Sequence, residues 1–174
     1  MMTVPFTVNN REVRRNFLRQ GMMEALCSLT GQAVPLWGRF TAQHMVEHLL
    51  WTFKFSTGDL NIHRDVPPPV AERMRKFLYD DRPTPREFKN PLLSEIPPPL
   101  TFASLVESKS ALQRGVNRFF DVYEKSPTAT YDHPLFGPLD GEEWERALFK
   151  HCYHHLMQFG LLEEGERNIE KNRE

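Results

Sequence analysis

Apolar residues recur at helical spacing in long stretches of the chain that contain no proline. These stretches are 6–34, 36–66, 100–126 and 139–174, and a shorter one covers 70–82. Proline breaks helix interiors, so long helices can form only between the prolines. No stretch shows the alternation of apolar and polar residues that is typical of a half-buried strand. The pattern therefore predicts an all-α protein.

The first two helices are predicted from their apolar stripes and capping residues. The first spans about Asn10 to Leu29, with Asn9 or Asn10 as its cap. The second runs from Thr41, as its N-cap, to Ser56. Its apolar arc is so wide that we expect it to be buried on most sides.

The middle of the chain is rich in proline. A short helix is predicted over 70–79, and residues 80–99 form a proline-broken loop, which we expect to line one wall of a pocket. The third long helix is predicted over 102–123, with Thr101 as its cap.

The last helix is expected to start after Asp140. Asp140 and Glu143 have the spacing of a capping box, in which each side chain bonds the backbone N–H of the other. Its inward stripe contains two histidines among apolar residues: Trp144, Leu148, His151, His155, Phe159 and Leu162.

Composition narrows the class of protein. The chain has 174 residues, 40% of them hydrophobic and 26% charged, which suits one globular domain over 1–174. A net charge of -1 argues against nucleic acid or an anionic membrane as partner. The chain has only two cysteines, its first residues do not resemble a leader, and no apolar run approaches the ~20 residues that span a bilayer. These features predict a cytoplasmic protein.

Histidines are concentrated in the last helix. His151 and His155 are four residues apart, so they share one helix face. A single buried histidine is commonly satisfied by a carbonyl or a tyrosine, but two on one face are harder to satisfy in this way. A metal ion solves the problem, because each neutral ring donates one nitrogen to it.

The second helix offers His44 and His48 as a third ligand. His48 lies nearer the middle of the apolar arc and is preferred, which leaves His44 beside the ligands or at the rim. The alternative is that both are partly exposed without a ligand role. Gln158 could hold a water or orient His155, or it could be an amide on the helix surface. No catalytic residue is identified.

The other polar candidates are expected to lie away from the site. His154 points about 60° from His151 and is predicted to be peripheral. His63 and His133 are predicted at the surface. Glu47 shares a polar strip with Lys54, which predicts a solvated carboxylate.

These residues resemble a known family. Residues 41–49 after Trp37, and the pattern His151-x-x-x-His155-x-x-Gln158, resemble the DinB-like (YfiT-like) four-helix superfamily of metal-binding proteins. Residues 133–139, with Trp144 and 150–159, resemble an uncharacterised subgroup of it. The similarity is strong over 37–51 and 133–160.

The resemblance implies a four-helix bundle with a long crossover, to which this chain adds its proline-rich loop. It implies a metal site of His48, His151 and His155 that holds zinc or nickel, and often a homodimer. Characterised relatives include transferases and isomerases that use low-molecular-weight thiols. His44 and the 80–99 segment depart from the family pattern, so a relative's substrate is not transferred.

Three protein ligands leave a coordination position open, as in catalytic zinc sites. Because no carboxylate base is evident on the inward faces, a thiol-dependent transferase acting on a small molecule is favoured over a hydrolase. The alternative is a non-catalytic helical protein, stabilised by metal or serving as an interaction module. That alternative predicts a closed site with His44 or Gln158 as fourth ligand.

Overall fold

The computed structural model describes residues 2–61, 66–86 and 97–164, which are mostly helical with two small sheets. The helical segments are α1 (Arg11–Asn16), a π-helical turn (Phe17–Gly21), α2 (Met22–Cys27), α3 (Ala42–Ser56), α4 (Pro68–Arg75), a 3₁₀ turn (Lys76–Tyr79), α5 (Leu105–Lys125) and α6 (Gly141–Gln158). The strands are β1 (Met2–Val4), β2 (Tyr131–His133), β3 (Gly137–Leu139) and β4 (Leu162–Glu164).

The strands correct the expectation that the chain has none. β1 pairs with β4 in parallel, with Met2 opposite Leu162, and β2 pairs with β3 antiparallel, with Tyr131 opposite Leu139. Each strand is three residues long, too short to show a periodic pattern in the sequence. The coarser prediction of a mostly helical protein is confirmed.

α1, the π-helical turn and α2 follow one another without a break. Phe17 and Met22, at the two junctions, both have right-handed helical dihedral angles. Asn10 is the cap, because its side chain accepts a hydrogen bond from the N–H of Val13 at 3.1 Å. The helix ends at Cys27, two residues before the predicted end.

α3 packs closely on α5 and also contacts α6. Gly115 of α5 permits the close approach, since a Cβ there would lie 2.8 Å from Leu50 Cδ1 and 3.5 Å from Phe53 Cβ. The predicted apolar arc of α3 is confirmed, because all six of its members are buried: Ala42, Met45, Val46, Leu49, Leu50 and Phe53.

α5 starts three residues later than predicted. Its cap is Ser104, whose side chain accepts from the N–H of Glu107 at 3.2 Å. Thr101, the predicted cap, instead donates its own N–H to the carboxylate of Glu47 at 2.7 Å. A contact from another helix therefore decides where α5 begins.

α6 begins with the predicted capping box, in which Asp140 and Glu143 bond each other's backbone. The buried indole of Trp144 donates to the carbonyl of Tyr131 at 3.1 Å and ties the β2–β3 hairpin to the helix. No helix in the described part of the chain is both long and apolar enough to cross a bilayer.

Candidate metal centre

Two helices, α3 and α6, bring three imidazole rings together. The ring centroids are 4.8 Å apart for His48 and His151, 4.9 Å for His48 and His155, and 4.7 Å for His151 and His155. One nitrogen from each ring lies within 4.8 Å of one from each of the others. We call this group the histidine cluster. Its members are the three residues chosen from the sequence, and it could hold a metal ion.

Burial keeps these imidazoles neutral at pH 7. It lowers the pKa of His48 from 6.5 to about 4, with a smaller contribution from His154. It also lowers the pKa of His151 well below 6.5, and the nearby rings of His155 and His48 lower it further. The pKa of His155 is well below 6.5 for the same reasons, burial first and then His48. A neutral ring keeps a lone pair for a metal ion.

A side-chain amide orients His155. Gln158 Oε1 lies 2.8 Å from His155 Nδ1, and Gln158 Nε2 donates to the carbonyl of Trp37 at 2.8 Å. The Trp37 carbonyl can only accept, which fixes the amide so that its oxygen faces the ring. His155 therefore carries its proton on Nδ1 and leaves Nε2 free. Gln158 is 6% exposed, so it is not a surface amide.

The loop before α3 lies against the histidine cluster. The Phe40 ring is 5.2 Å from that of His48 and stacks on His155 at 5.9 Å. Gly38 has a φ of 81°, and a Cβ at this position would lie 2.5 Å from Gln158 Nε2. Only glycine fits here without displacing the amide that orients His155.

Two other predicted histidines lie outside the cluster. His44 Nδ1 lies 2.8 Å from the hydroxyl of Thr41, the residue that caps α3. His154 is half-buried, and its Nδ1 lies 3.4 Å from the carbonyl of Thr84. The ring of His154 is nevertheless 5.1 Å from that of His155, so it borders the cluster. His63, predicted at the surface, lies outside the described residues.

The surface prediction for His133 is wrong. Its ring stacks on Phe136 with centroids 4.4 Å apart and lies 5.1 Å from Trp144. Its Nδ1 accepts from the N–H groups of Leu135 and Phe136 at 3.1 and 3.3 Å. Burial lowers its pKa to about 3. The buried ring of His133 thus stabilises the turn between β2 and β3 by bonding its backbone.

Glu47 corrects the expectation of a solvated carboxylate. It is 5% exposed and accepts hydrogen bonds from the N–H groups of Thr101 and Phe102 at 2.7 and 3.3 Å. Gln43 and Ser108 donate to it at 3.0 and 3.2 Å. Burial alone raises the pKa of this carboxyl, but the hydrogen bonds together outweigh burial and lower it. Glu47 thus joins α3 to the start of α5, one residue before His48.

Lys150 is a second buried charge, one residue before His151, and no role was predicted for it. It is 2% exposed, and Nζ donates to the carbonyls of Asp80 and Arg82 at 2.5 and 2.6 Å. Burial lowers its pKa to about 8. Lys150 holds the start of the predicted 80–99 loop on α6, whereas residues 87–96 lie outside the described residues. The signal in the sequence that could have pointed to this role is the position of a lysine directly before an inward-facing histidine.

The geometry defines a mostly helical protein with a group of three neutral histidines that could hold a metal ion between two helices. Residues 74–160 match the family described as "Protein of unknown function (DUF1569)", and the chain belongs to this family. No curated protein and no solved structure matches the chain. The matched segment contains His151 and His155, and His48 precedes it.

Proposed function

We propose that this protein binds a divalent metal ion, zinc or nickel, through His48, His151 and His155. The observation that carries the proposal is the meeting of three neutral imidazoles within 4.8 Å of one another. Imidazole suits zinc, nickel, copper and iron, whereas magnesium and calcium prefer oxygen ligands. Bonds of about 2.0 Å to a tetrahedral ion require nitrogens roughly 3.3 Å apart, so ring rotations on binding would complete the site.

The bound ion would serve a catalytic rather than a structural role. Three protein ligands leave a position open, as in catalytic zinc sites. His44 and Gln158 were the candidates for a fourth ligand, and both have other partners, Thr41 for the first and His155 and Trp37 for the second. An ion in the site would lower the pKa of a water or a thiol in the open position.

Thiol-dependent transfer to a small molecule is the reaction we favour, ahead of hydrolysis. Hydrolysis is helped by a carboxylate base close to the ion. Glu47 is the acid nearest to His48 in the sequence, and its oxygens already accept hydrogen bonds from the backbone before α5. The histidine cluster contains imidazoles alone. The DinB-like resemblance, with its thiol-using relatives, supports the same choice.

The proposal includes a DinB-like four-helix bundle in a single domain over 1–174. The supporting contacts are those of α3 with α5 and α6, and of α6 with α1 and α2. It also includes a cytoplasmic location, supported by the unpaired cysteines Cys27 and Cys152, and a homodimer, which rests on the resemblance alone.

Metal analysis tests the site. The untagged protein, purified without chelator, should carry a stoichiometric amount of zinc or nickel. His151→Ala should lose it, and His44→Ala, the matched control on α3, should keep it. If the wild type carries no metal, and added zinc or nickel leaves its melting temperature unchanged, the proposal is wrong.

Thiol-consumption assays with a panel of electrophiles test the reaction. The metal-loaded wild type should consume thiol, and His151→Ala should not. Ester hydrolysis without thiol consumption would favour the hydrolase. Bound metal without either activity would favour a metal-stabilised, non-catalytic protein.

A further inference from the structure

The hydroxyl of Thr52 contacts His151 from the neighbouring helix. Thr52 lies one turn after His48 on α3, and its Oγ1 is 3.3 Å from His151 Nε2. The same hydroxyl donates to the backbone carbonyl of His48, also at 3.3 Å. Threonine in helices commonly makes this bond to the residue four positions back.

Taken together, the two contacts indicate which nitrogen of His151 carries the proton. A hydroxyl group has one proton, and here the carbonyl of His48 takes it. The oxygen can then only accept, so the imidazole must donate to it from Nε2. A neutral ring with its proton on Nε2 has its free lone pair on Nδ1.

His155 has the opposite arrangement. Gln158 holds its Nδ1, which leaves Nε2 with the lone pair. The two histidines of α6 lie one turn apart on the same face, yet different nitrogens are taken by their partners. A pattern read from the spacing of the histidines alone treats the two rings as equivalent.

We propose that Thr52 is a positioning residue that fixes the tautomer of His151, so that His151 binds metal through Nδ1 and His155 binds it through Nε2. The metal part of this inference rests on the proposed function. The tautomer part concerns the metal-free protein and stands independently of it.

Long-range ¹H–¹⁵N NMR correlation spectra of the metal-free, histidine-labelled protein test the tautomers. We expect a proton on Nε2 of His151 and on Nδ1 of His155. In Thr52→Val, His151 should shift towards a mixture of tautomers, and Thr52→Ser should restore the wild-type pattern. A proton on Nδ1 of His151 in the wild type overturns the inference, whether or not the protein binds metal.

Zinc binding by the same variants tests the consequence. Loss of a group that orients a metal ligand typically weakens binding 10- to 100-fold, so Thr52→Val should bind zinc at least about tenfold more weakly. Thr57→Val is the matched control. The hydroxyl of Thr57 makes the same 3.3 Å bond, to the carbonyl of Phe53, but its side-chain partner is Asp59 instead of a histidine.

Thr52→Ser and Thr57→Val should bind zinc within about twofold of the wild type. This change is much smaller than the weakening expected when a group that orients a metal ligand is lost. In the zinc-loaded wild type, NMR should show zinc on Nδ1 of His151 and Nε2 of His155. Zinc on Nε2 of both rings, or unchanged affinity in Thr52→Val, contradicts the inference. Absence of zinc binding by the wild type contradicts the proposed function instead.

Discussion

α6 takes part in two largely buried polar clusters of opposite character. Near its start lies an ionic cluster, which we define as Arg14, Glu142, Glu145 and Arg146. Near its end lies the histidine cluster. Both place polar groups among apolar side chains, at a cost that only suitable partners offset.

The ionic cluster is balanced from within. Arg14 is fully buried, donates to the carbonyl of Val8 at 2.6 Å and lies 3.4 Å from Glu142. Arg146 contacts the same carboxylate at 2.8 Å. Some hydrogen-bonding atoms stay without a partner, among them Arg14 Nε, but positive charge meets negative charge throughout. Its role is structural, since it holds the N-terminal segment against α6.

The histidine cluster has no such balance. Burial keeps its three rings neutral, and the group contains no residue of opposite charge. Under the proposed function, a cation is the partner that all three rings would share. The comparison teaches that buried polarity alone does not mark a functional site. What distinguishes the histidine cluster is that its ligand atoms lie close together without a group of opposite charge among them.

The largest expected effect of a single substitution is in the ionic cluster. Arg14→Met should destabilise the fold by about 1.5–3 kcal/mol, because it removes the buried, charged hydrogen bond of Arg14 to the carbonyl of Val8. Urea denaturation measures the change. Arg118→Met, which breaks an exposed pair with Asp59 at 3.1 Å, is the control and should cost at most about 1 kcal/mol. Similar losses in the two variants would contradict a structural role for the ionic cluster.

Metal should stabilise the protein through the histidine cluster alone. At a free zinc concentration of about 100 times Kd, the free energy of unfolding should rise by about 2.7 kcal/mol. Arg14→Met should show the same increment on its lower baseline, and His151→Ala should show none. An increment that persists in His151→Ala would place the metal elsewhere.

The two clusters should lose stability in different pH windows. The unfolded chain protonates its histidines near pH 6.5, whereas folded His48 does so only near 4. The metal-free fold should therefore be fully stable above pH 6.5 and lose about 1.4 kcal/mol per pH unit for each such histidine as the pH falls towards 4. His48→Ala should flatten this slope in urea titrations across pH.

The ionic cluster should respond only at lower pH. The hydrogen bond from Arg146 is the main cause that lowers the pKa of Glu142 below 4.5 in the folded protein. Its contribution is present above pH 4.5 and is lost as the pH falls through the folded pKa. Stability that falls between pH 6.5 and 5 in the wild type, but not in Glu142→Gln, would contradict this separation of the two pH windows.

The smallest expected effect is that of Gly38→Ala. The positive φ and the close contact with Gln158 Nε2 should cost about 1 kcal/mol of stability. Zinc binding should weaken as well, because the displaced amide no longer orients His155. Gly31→Ala, where a Cβ meets nothing within 4 Å, is the matched control. Unchanged zinc affinity in Gly38→Ala would mean that Gln158 does not depend on this loop.

The choice of histidines was predictable because it rests on local geometry. His151 and His155 share a face by their spacing, and His48 lies on the apolar arc of its own helix. Neither inference needs to know how the helices pack. The capping box at Asp140 and the cap at Asn10 could be predicted for the same reason, since their bonds span three residues.

The partners of the buried polar groups were not predictable in this way. Glu47 bonds Thr101, 54 residues away, and Lys150 bonds Asp80, 70 residues away. A helical wheel assigned Glu47 to solvent because it records only neighbours on the same helix. The strands of the two sheets were missed because each has only three residues, too few for a periodic pattern, and β1 also pairs with a segment at the other end of the described chain.

The sequence by itself therefore determined the helices, their apolar faces and the histidines that point inward, because these follow from the periodicity of the backbone. Only the tertiary structure decided that His48 meets His151 and His155, and that Thr52 contacts Nε2 of His151. The contact of Gln158 with His155 spans three residues and was already a candidate from the sequence. The other contacts join residues such as Thr52 and His151, which are 99 apart and meet only because α3 packs on α6.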